Sequence, residues 1–502
     1  MTIAIGVFLV ALDGTITAVA NPVLGAQLGA SLGGLQWVTN IYLLALASTL
    51  VLAGRLGDRW GRRRVFLIGV TGFAIASAVV GLAVSVEMAV VGRGLQGLFG
   101  SLIITNAISL LRLSFPPERL PIALSTFAAV IGASSAAGPI IGGVLVEQLS
   151  WRWAFLINAP IAVVGVVAGL RLLRRGEAAP GGRFDVPGVA LLMATMLALV
   201  FGLITAPETS WTAPVVVACL ALALVLGVAF VLVERRAKNP LLPLSLFADR
   251  SVSAAAGLTV LTFFSLVGSL FFVLLFLQQV NGDSPIEAGL HVLPLSIANV
   301  VASSLAGRIV LRFGVRMPLV SGMALAALGF LLFGFVEIQG PFLQLAAPFA
   351  VLGLGLGLVM TCGMQAILMN TPEVHTGAAS GVHQTANQIG GVLGTSVLGA
   401  VMAGAVAGQF PDRLRVSGVP ESLISELAGE SSRAVAQGVP PTITGVGAEI
   451  TSAISIATDE AFLSGMHTTM FFGAAFALVG MVIALFVQQG RPLPDTDTVI
   501  VH

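Results

Sequence analysis

Residues 217–233 read VACLALALVLGVAFVLV, with no charged side chain and no alternation of apolar and polar positions. A strand that crosses a bilayer alternates, because one face meets lipid and the other a polar lumen. In hydrocarbon the other viable element is the helix, which satisfies its own backbone groups. This stretch therefore reads as a membrane helix, and the composition extends the reading to the whole chain. Of 502 residues, 57% are hydrophobic and 9% charged, against about 25% charged in a soluble domain. That is about 286 apolar positions, enough for about 14 spans at about 20 residues each. An ordinary soluble enzyme, a disordered tail protein and a secreted disulfide scaffold are excluded. The 59 glycines suit helices that pack closely in lipid.

Fourteen apolar runs follow one another from 2–24 to 463–487, with 120–146 as the fifth. The first has no basic segment before it and contains Asp13, so it reads as a retained span rather than a cleaved signal peptide. Cys219 and Cys362 fall inside apolar runs and read as small buried apolar residues. The net charge of +1 argues against a nucleic-acid partner, which would need a basic face.

Arginine and lysine set orientation. With the N-terminus in the cytoplasm, the inner loops hold 19 of the 24 basic residues and the outer loops hold Arg152, Arg413, Arg415 and Arg433. The remaining one, Arg93, lies inside a span. This asymmetry predicts an even number of spans and both termini cytoplasmic, in the plasma membrane. The expected architecture is an all-α membrane protein of 14 spans. A six-helix bundle covers 1–172, two additional helices with flanking linkers cover 173–250, a second six-helix bundle covers 251–490, and 491–502 is a cytoplasmic tail. Segment 408–462 carries seven acidic residues against three arginines and is expected to be a long extracellular loop with short amphipathic helices.

The two halves share a repeat. After the second run comes Gly54-Arg-Leu-Gly-Asp58-Arg59-Trp-Gly61-Arg62-Arg63-Arg64, and the second half reads Gly307-Arg308-Ile-Val-Leu311-Arg312-Phe-Gly314-Val-Arg316. The Gly, Arg, Gly, Arg spacing recurs, with Leu311 in place of Asp58. Duplicated bundles of this kind are a habit of secondary transporters.

This loop resembles the signature of the major facilitator superfamily. Leu12-Asp13-Gly-Thr15-Ile-Thr-Ala-Val-Ala20-Asn-Pro22 is similar to the first-span motif of its fourteen-span drug:proton antiporters. Arg93-Gly-Leu-Gln96-Gly97 is similar to their fourth-span motif. Gly138-Pro139-Ile-Ile-Gly142-Gly143, followed by Trp151-Arg-Trp153-Ala-Phe-Leu-Ile-Asn158, is similar to the fifth-span antiporter motif and its sequel. The resemblance covers essentially the whole chain, with Leu311, Ala18 and Asn21 as departures. It implies the major facilitator fold and outward transport of amphipathic or cationic small molecules, driven by proton entry. A dedicated exporter of one endogenous metabolite or antibiotic would carry the same motifs.

A carboxylate at bilayer depth is costly and should face the interior cavity, so Asp13 is the candidate proton carrier; packing by hydrogen bonds is its plainer role. Arg93 keeps its charge and either tunes Asp13, as the resemblance implies, or completes a buried structural pair. Gly54, Asp58, Arg59, Gly61, Arg62 and Arg63 are the candidate gating loop; their arginines also set topology. The resemblance implies that Asp58 helps hold the cytoplasmic side closed. Gly138, Pro139, Gly142 and Gly143 interrupt a helix and allow close approach. His383, Gln384, Asn387 and Gln388 recur at helical spacing and, with Glu287 and His291, are candidates for the substrate cavity. His383 reads more naturally as a core hydrogen-bonder, and Glu287 equally well as a solvated rim residue. Gly92-Arg93-Gly94-Leu-Gln-Gly97 matches a dinucleotide fingerprint only in letters, because it lacks the strand before it. No phosphate-binding loop, metal-ligand spacing or nucleophile–base set is visible. No cofactor, metal or enzymatic activity is therefore expected, and the partners are a small-molecule substrate, protons and the lipid bilayer.

Overall fold

Uninterrupted apolar sequence leaves the backbone no partner but itself, and every described element is helical. The structure, a computed structural model, describes residues 2–114, 130, 134, 137–173, 186–206, 209–237, 240, 247–369, 376–430, 432–441 and 447–488. In chain order come α1 (Thr2–Leu28), α2 (Leu32–Trp60), α3 (Arg62–Gly81), α4 (Val86–Ser114) and α5 (137–148). Then follow α6 (Trp151–Leu156), α7 (Asn158–Leu172), α8 (Val186–Thr205) and α9 (Pro214–Arg236). The second half has α10 (Arg250–Leu275) ending in a π-helical turn (Phe276–Val280), α11 (Pro285–Phe313), α12 (Arg316–Phe333) and α13 (Phe342–Met369). It closes with α14 (Thr376–Val416), α15 (Glu421–Glu430), α16 (Ser432–Val435) and α17 (Ala448–Ala484).

Local chemistry fixes several boundaries. Ser31 accepts from the Gly34 amide at the start of α2, and Asp249 accepts from Ser251 and Val252 at the start of α10. The halves share one device: Gly61, with φ 89°, separates α2 from α3, and Gly314, with φ 71°, separates α11 from α12. The repeat in sequence is thus a repeat in backbone. The side carrying these two turns is called the turn side below, and its opposite the distal side.

Among the described residues, twelve helices are long and apolar enough to cross a bilayer, fewer than the fourteen expected. α2 is not among the twelve, but it is interrupted by positions whose side chains lie outside the described residues. The fifth run, 120–146, lies partly outside the described residues.

Helix packing falls into two groups. α2 and α3 pack on α4, and α1 on α4, α6 and α7; in the other half α10 packs on α14, α11 and α12 on α13, and α17 on α12 and α14. The hairpin of α8 and α9 touches both groups through α8, which contacts α2 and α14. One hydrophobic core of the first group, around Val10, Phe66, Phe73 and Ile103, stays within it towards the turn side. The larger core runs the length of the second group, from Val315 and Leu319 to Phe272, Phe276 and Val280, and takes in distal residues of the first, among them Leu24, Leu35 and Trp151. The two halves are therefore joined over their distal ends. Cys362 is buried as expected, but Cys219 is only partly so, since α9 turns most of its surface outward.

The expected long loop is mostly helix. α14 has 41 residues, or about 60 Å of rise, against about 30 Å of hydrocarbon. It overruns the anticipated span because Val406, Phe410 and Leu414 form one apolar stripe. That stripe shares a buried core with Ile424, Leu427, Val435, Ile454 and Ala457. Together with α15 and α16 these overhangs build a distal cap. Arg413–Glu460 (3.2 Å) and Arg415–Asp412 (2.7 Å) decorate its surface.

Candidate functional site

Asp13 sits midway along α1, on the face turned to α4 and α7. Its Oδ2 accepts from Arg93 Nη1 at 2.6 Å, and the two side chains are 0% and 2% exposed. Its Oδ1 accepts from Gln96 Nε2 and from Asn158 Nδ2, each at 2.9 Å. Gln96 and Asn158 also donate to Ser77 Oγ, at 2.7 and 3.1 Å. Four helices thus converge on one carboxylate. The side chain faces these partners rather than the interior cavity expected of it.

Arg93 spends its remaining donors nearby. Nε donates to the Val38 carbonyl of α2 at 3.2 Å, and Nη1 donates also to Gln96 Oε1 at 3.0 Å. Its guanidinium lies 4.1 Å from the centre of the Tyr42 ring and 6.0 Å from that of Phe155. A buried ion pair is tolerable only when the remaining lone pairs and protons are largely satisfied; here both Asp13 oxygens are engaged, while Asn158 Oδ1 is buried without a partner among the described residues.

The halves meet on the distal side. Gln278, in the π-helical turn, donates to the Val19 carbonyl at 3.1 Å. Glu147 of α5 accepts from the Ile286 amide at 3.3 Å. Gln36 Nε2 donates to the Thr395 carbonyl at 3.1 Å, and Asn40 Nδ2 to Ser396 Oγ at 3.0 Å. The Gly138–Pro139–Gly142–Gly143 motif lies in this seam. Gly138 and Gly142 set α5 against Thr15 and Ile16 of α1, while Gly143 lies on the Pro285–Ile286 backbone and Pro139 on Gly289 of α11. A Cβ at Gly143 would stand 2.6 Å from the Pro285 carbonyl oxygen, so only glycine permits this approach.

The residues of the candidate gating loop lie at the other end. Gly54 packs on Thr105 of α4, Gly61 makes the turn, Arg62 begins α3 and Arg59 is exposed. Arg63 donates to the Gly169 and Leu170 carbonyls at 3.3 and 2.5 Å, capping the last turn of α7. The Asp58 side chain lies outside the described residues.

The residues expected in a substrate cavity separate. Glu287 closes a capping box with Ser284 at the start of α11. His291 Nδ1 meets Asp283 Oδ2 at 2.7 Å and stacks on Phe342, fastening the loop before that helix. On α14, Asn387 donates to Gln384 Oε1 at 3.0 Å. Among the described residues, His383 Nε2 and Asn387 Oδ1 are buried without a hydrogen-bond partner. Gln388 faces a small cleft, with room for about one water, which it lines with Ser48, Met193, Met196 and Val392 between α14, α2 and α8. Ser77, Tyr42, Gln36, Asn40, Thr395 and Ser396 were not singled out in the sequence. Their one signal was polarity at depth in an apolar run.

The chain is 43% identical over 494 residues to the tetracenomycin C resistance and export protein of Streptomyces glaucescens, covering 98% of this chain and 91% of that one. It is 32% identical over 484 residues to the multidrug efflux pump LfrA of Mycolicibacterium smegmatis, covering 96% and 94%. In fold it is similar to the crystal structure of a bacterial homologue of the human lysosomal transporter Spinster in its inward-facing and unoccupied conformation. The TM-score there is 0.67 at 16% identity, over 98% of both chains. The family model of the Major Facilitator Superfamily matches residues 3–395. Paired halves that echo each other at Gly61 and Gly314 are what such a match predicts, and the chain belongs to the major facilitator superfamily.

Proposed function

We propose that this chain is a proton-coupled secondary transporter that exports amphipathic or cationic small molecules by alternating access. It would sit in the plasma membrane with 14 spans and both termini cytoplasmic, six spans on either side of the α8–α9 pair. The turn side is then cytoplasmic. The arginine distribution supports this orientation, and the relatives' names support drug export. With the distal ends joined, we read the present conformation as closed on the distal side.

The observation that carries the proton reading is the pairing of Asp13 with Arg93 inside the first bundle. Arg93 keeps its proton, so a proton arriving at this site goes to Asp13. It leaves Arg93 without its counter-charge. A protonated Asp13 also needs an acceptor. Asn158 Oδ1, buried and without a partner among the described residues, can supply one once the amide turns over. In this conformation no water reaches the pair, so loading and unloading require the bundles to rock. Each proton that enters against a neutral substrate brings about 2.3 kcal/mol per 100 mV of membrane potential.

A second reading, export of one endogenous product, is favoured by the 43% identity to a protein named for tetracenomycin C. Proteoliposomes distinguish the two. With an imposed pH gradient, the cationic dye ethidium and a panel of unrelated compounds are followed alongside a lumenal pH indicator. Exchange of several compounds with counter-movement of protons supports the broad exporter, and exchange of a single compound supports the dedicated one. Dye movement without any pH change overturns proton coupling.

A further inference from the structure

One short stretch of α2 is held on two faces at once. In a helix, residues 36 and 40 share one face and 38 and 42 another, about 200° around the axis. On the second face Arg93 donates to the Val38 carbonyl, and its guanidinium lies against the Tyr42 ring. On the first, Asn40 donates to Ser396 and accepts from Thr395 Oγ1, while Gln36 donates to the Thr395 carbonyl. Gln36, Asn40, Tyr42, Thr395 and Ser396 are all buried. The neighbouring helices press in closely, α4 on the backbone of α2 at Tyr42 and α14 on the side chain of Gln36. A Cβ at Gly97 of α4 would overlap the Tyr42 carbonyl, and one at Gly399 of α14 would overlap the Gln36 amide. α2 is therefore gripped between the helix that carries Arg93 and the helix of the opposite bundle.

We propose that residues 36–42 of α2 transmit the charge state of Asp13 to the distal closure, with Asn40 and Thr395 as the positioning residues of a polar clasp. The proposal rests on the proton-coupled reading above and extends it to a route. A purely apolar seam would be indifferent to small shifts. Buried amide and hydroxyl groups are not, because parting them without water leaves each unsatisfied. The clasp therefore has two settled states: made and dry, or parted and hydrated. Protonating Asp13 removes the charge that Arg93 answers, and Arg93, still charged, must reorganise its hold on Val38 and Tyr42. Those residues lie within one helical turn of Asn40, so the move reaches the clasp directly. Both sites bias one two-state element, which is the physical requirement for coupling.

The test uses the full chain in lipid nanodiscs, with Cys219→Ser and Cys362→Ser and spin labels on Val84→Cys and Phe335→Cys. Both of these are exposed, on distal turns of opposite bundles. Pulsed electron resonance then reads the distance between the labels at neutral and acidic pH. The parent protein is expected to shift towards longer distances on acidification. Asn40→Ala and Thr395→Val should already populate them at neutral pH, lowering the closed-to-open ratio about tenfold for the lost hydrogen bonds, and should respond less to acid. Thr395→Ser, which keeps the hydroxyl, should match the parent and so controls for folding. A parent that responds to acid together with variants that have its distribution and its full response overturns the link alone. A parent that does not respond overturns the proton reading of Asp13, and the link with it.

Discussion

Asn158 of α7 and Gln96 of α4 donate to the same oxygen of Asp13, each at 2.9 Å, while Arg93 takes the other oxygen. The carboxylate is thus held by three donors from two helices, and any change at one of them is felt by the rest.

Removing either charge should be worse than removing both. Asp13→Asn or Arg93→Gln leaves an uncompensated buried partner, at a cost of about 3–5 kcal/mol. The double variant should recover much of that stability. Both single variants and the double should fail in pH-gradient-driven efflux. Thermal unfolding in detergent beside transport in proteoliposomes checks both parts, and undiminished efflux by Asp13→Asn would remove that residue from the mechanism.

Gly143 should control closure rather than folding. Gly143→Val sets a branched side chain against the Pro285–Ile286 backbone and holds the distal seam apart. The expected result is faster reaction of Val19→Cys, on α1 in that seam, with a membrane-impermeant maleimide, together with reduced efflux. Unchanged labelling would show that α5 can yield elsewhere.

At the turn side, Arg63 has a structural duty and Asp58 is expected to have a kinetic one. Arg63→Ala should cost about 1.5–3 kcal/mol, typical of hydrogen bonds to a charged donor, and Arg63→Lys should recover part of it. Asp58→Asn should lower turnover more than it weakens substrate binding. Separate measurement of kcat and KM with a transported dye decides the second; a normal kcat would return the loop to setting topology.

In the cap, packing should outweigh charge. Phe410 is fully buried, so Phe410→Ala should destabilise the cap by about 3–5 kcal/mol. The Arg413–Glu460 pair is 39% exposed on both sides, so Arg413→Ala should change it by less than about 1 kcal/mol. Hydrogen exchange at the amides of residues 406–416 measures both.

The charges of the site were legible because Asp13 and Arg93 are costly at their depth and stand out in apolar runs. Gln96 and Asn158 lay within the quoted motifs but had no assigned partner. Helical periodicity tells which face a side chain occupies, not which helix it meets, so the convergence of α1, α3, α4 and α7 had to be seen. Ser77 and Thr395 were invisible for a further reason: hydroxyls bond their own helix readily and carry little positional information. The overrun of α14 was readable in principle. Val406, Phe410 and Leu414 recur every four residues, but the polar positions between them resemble a loop's composition. His291 and Glu287, one turn apart, could be read as cavity candidates or, for Glu287, as a rim residue; the local duties that the structure adds, a loop fastened by His291 and a helix capped by Glu287, depend on Asp283, Phe342 and Ser284.

α14 and α17 rise together past the hydrocarbon and are locked by their own aromatic and aliphatic interior. A chain that would otherwise offer detergent a nearly featureless belt therefore presents one rigid, water-facing knob. An antibody fragment raised against α15 and the ends of its two supports would grip a folded epitope, and so give single-particle images a landmark for alignment.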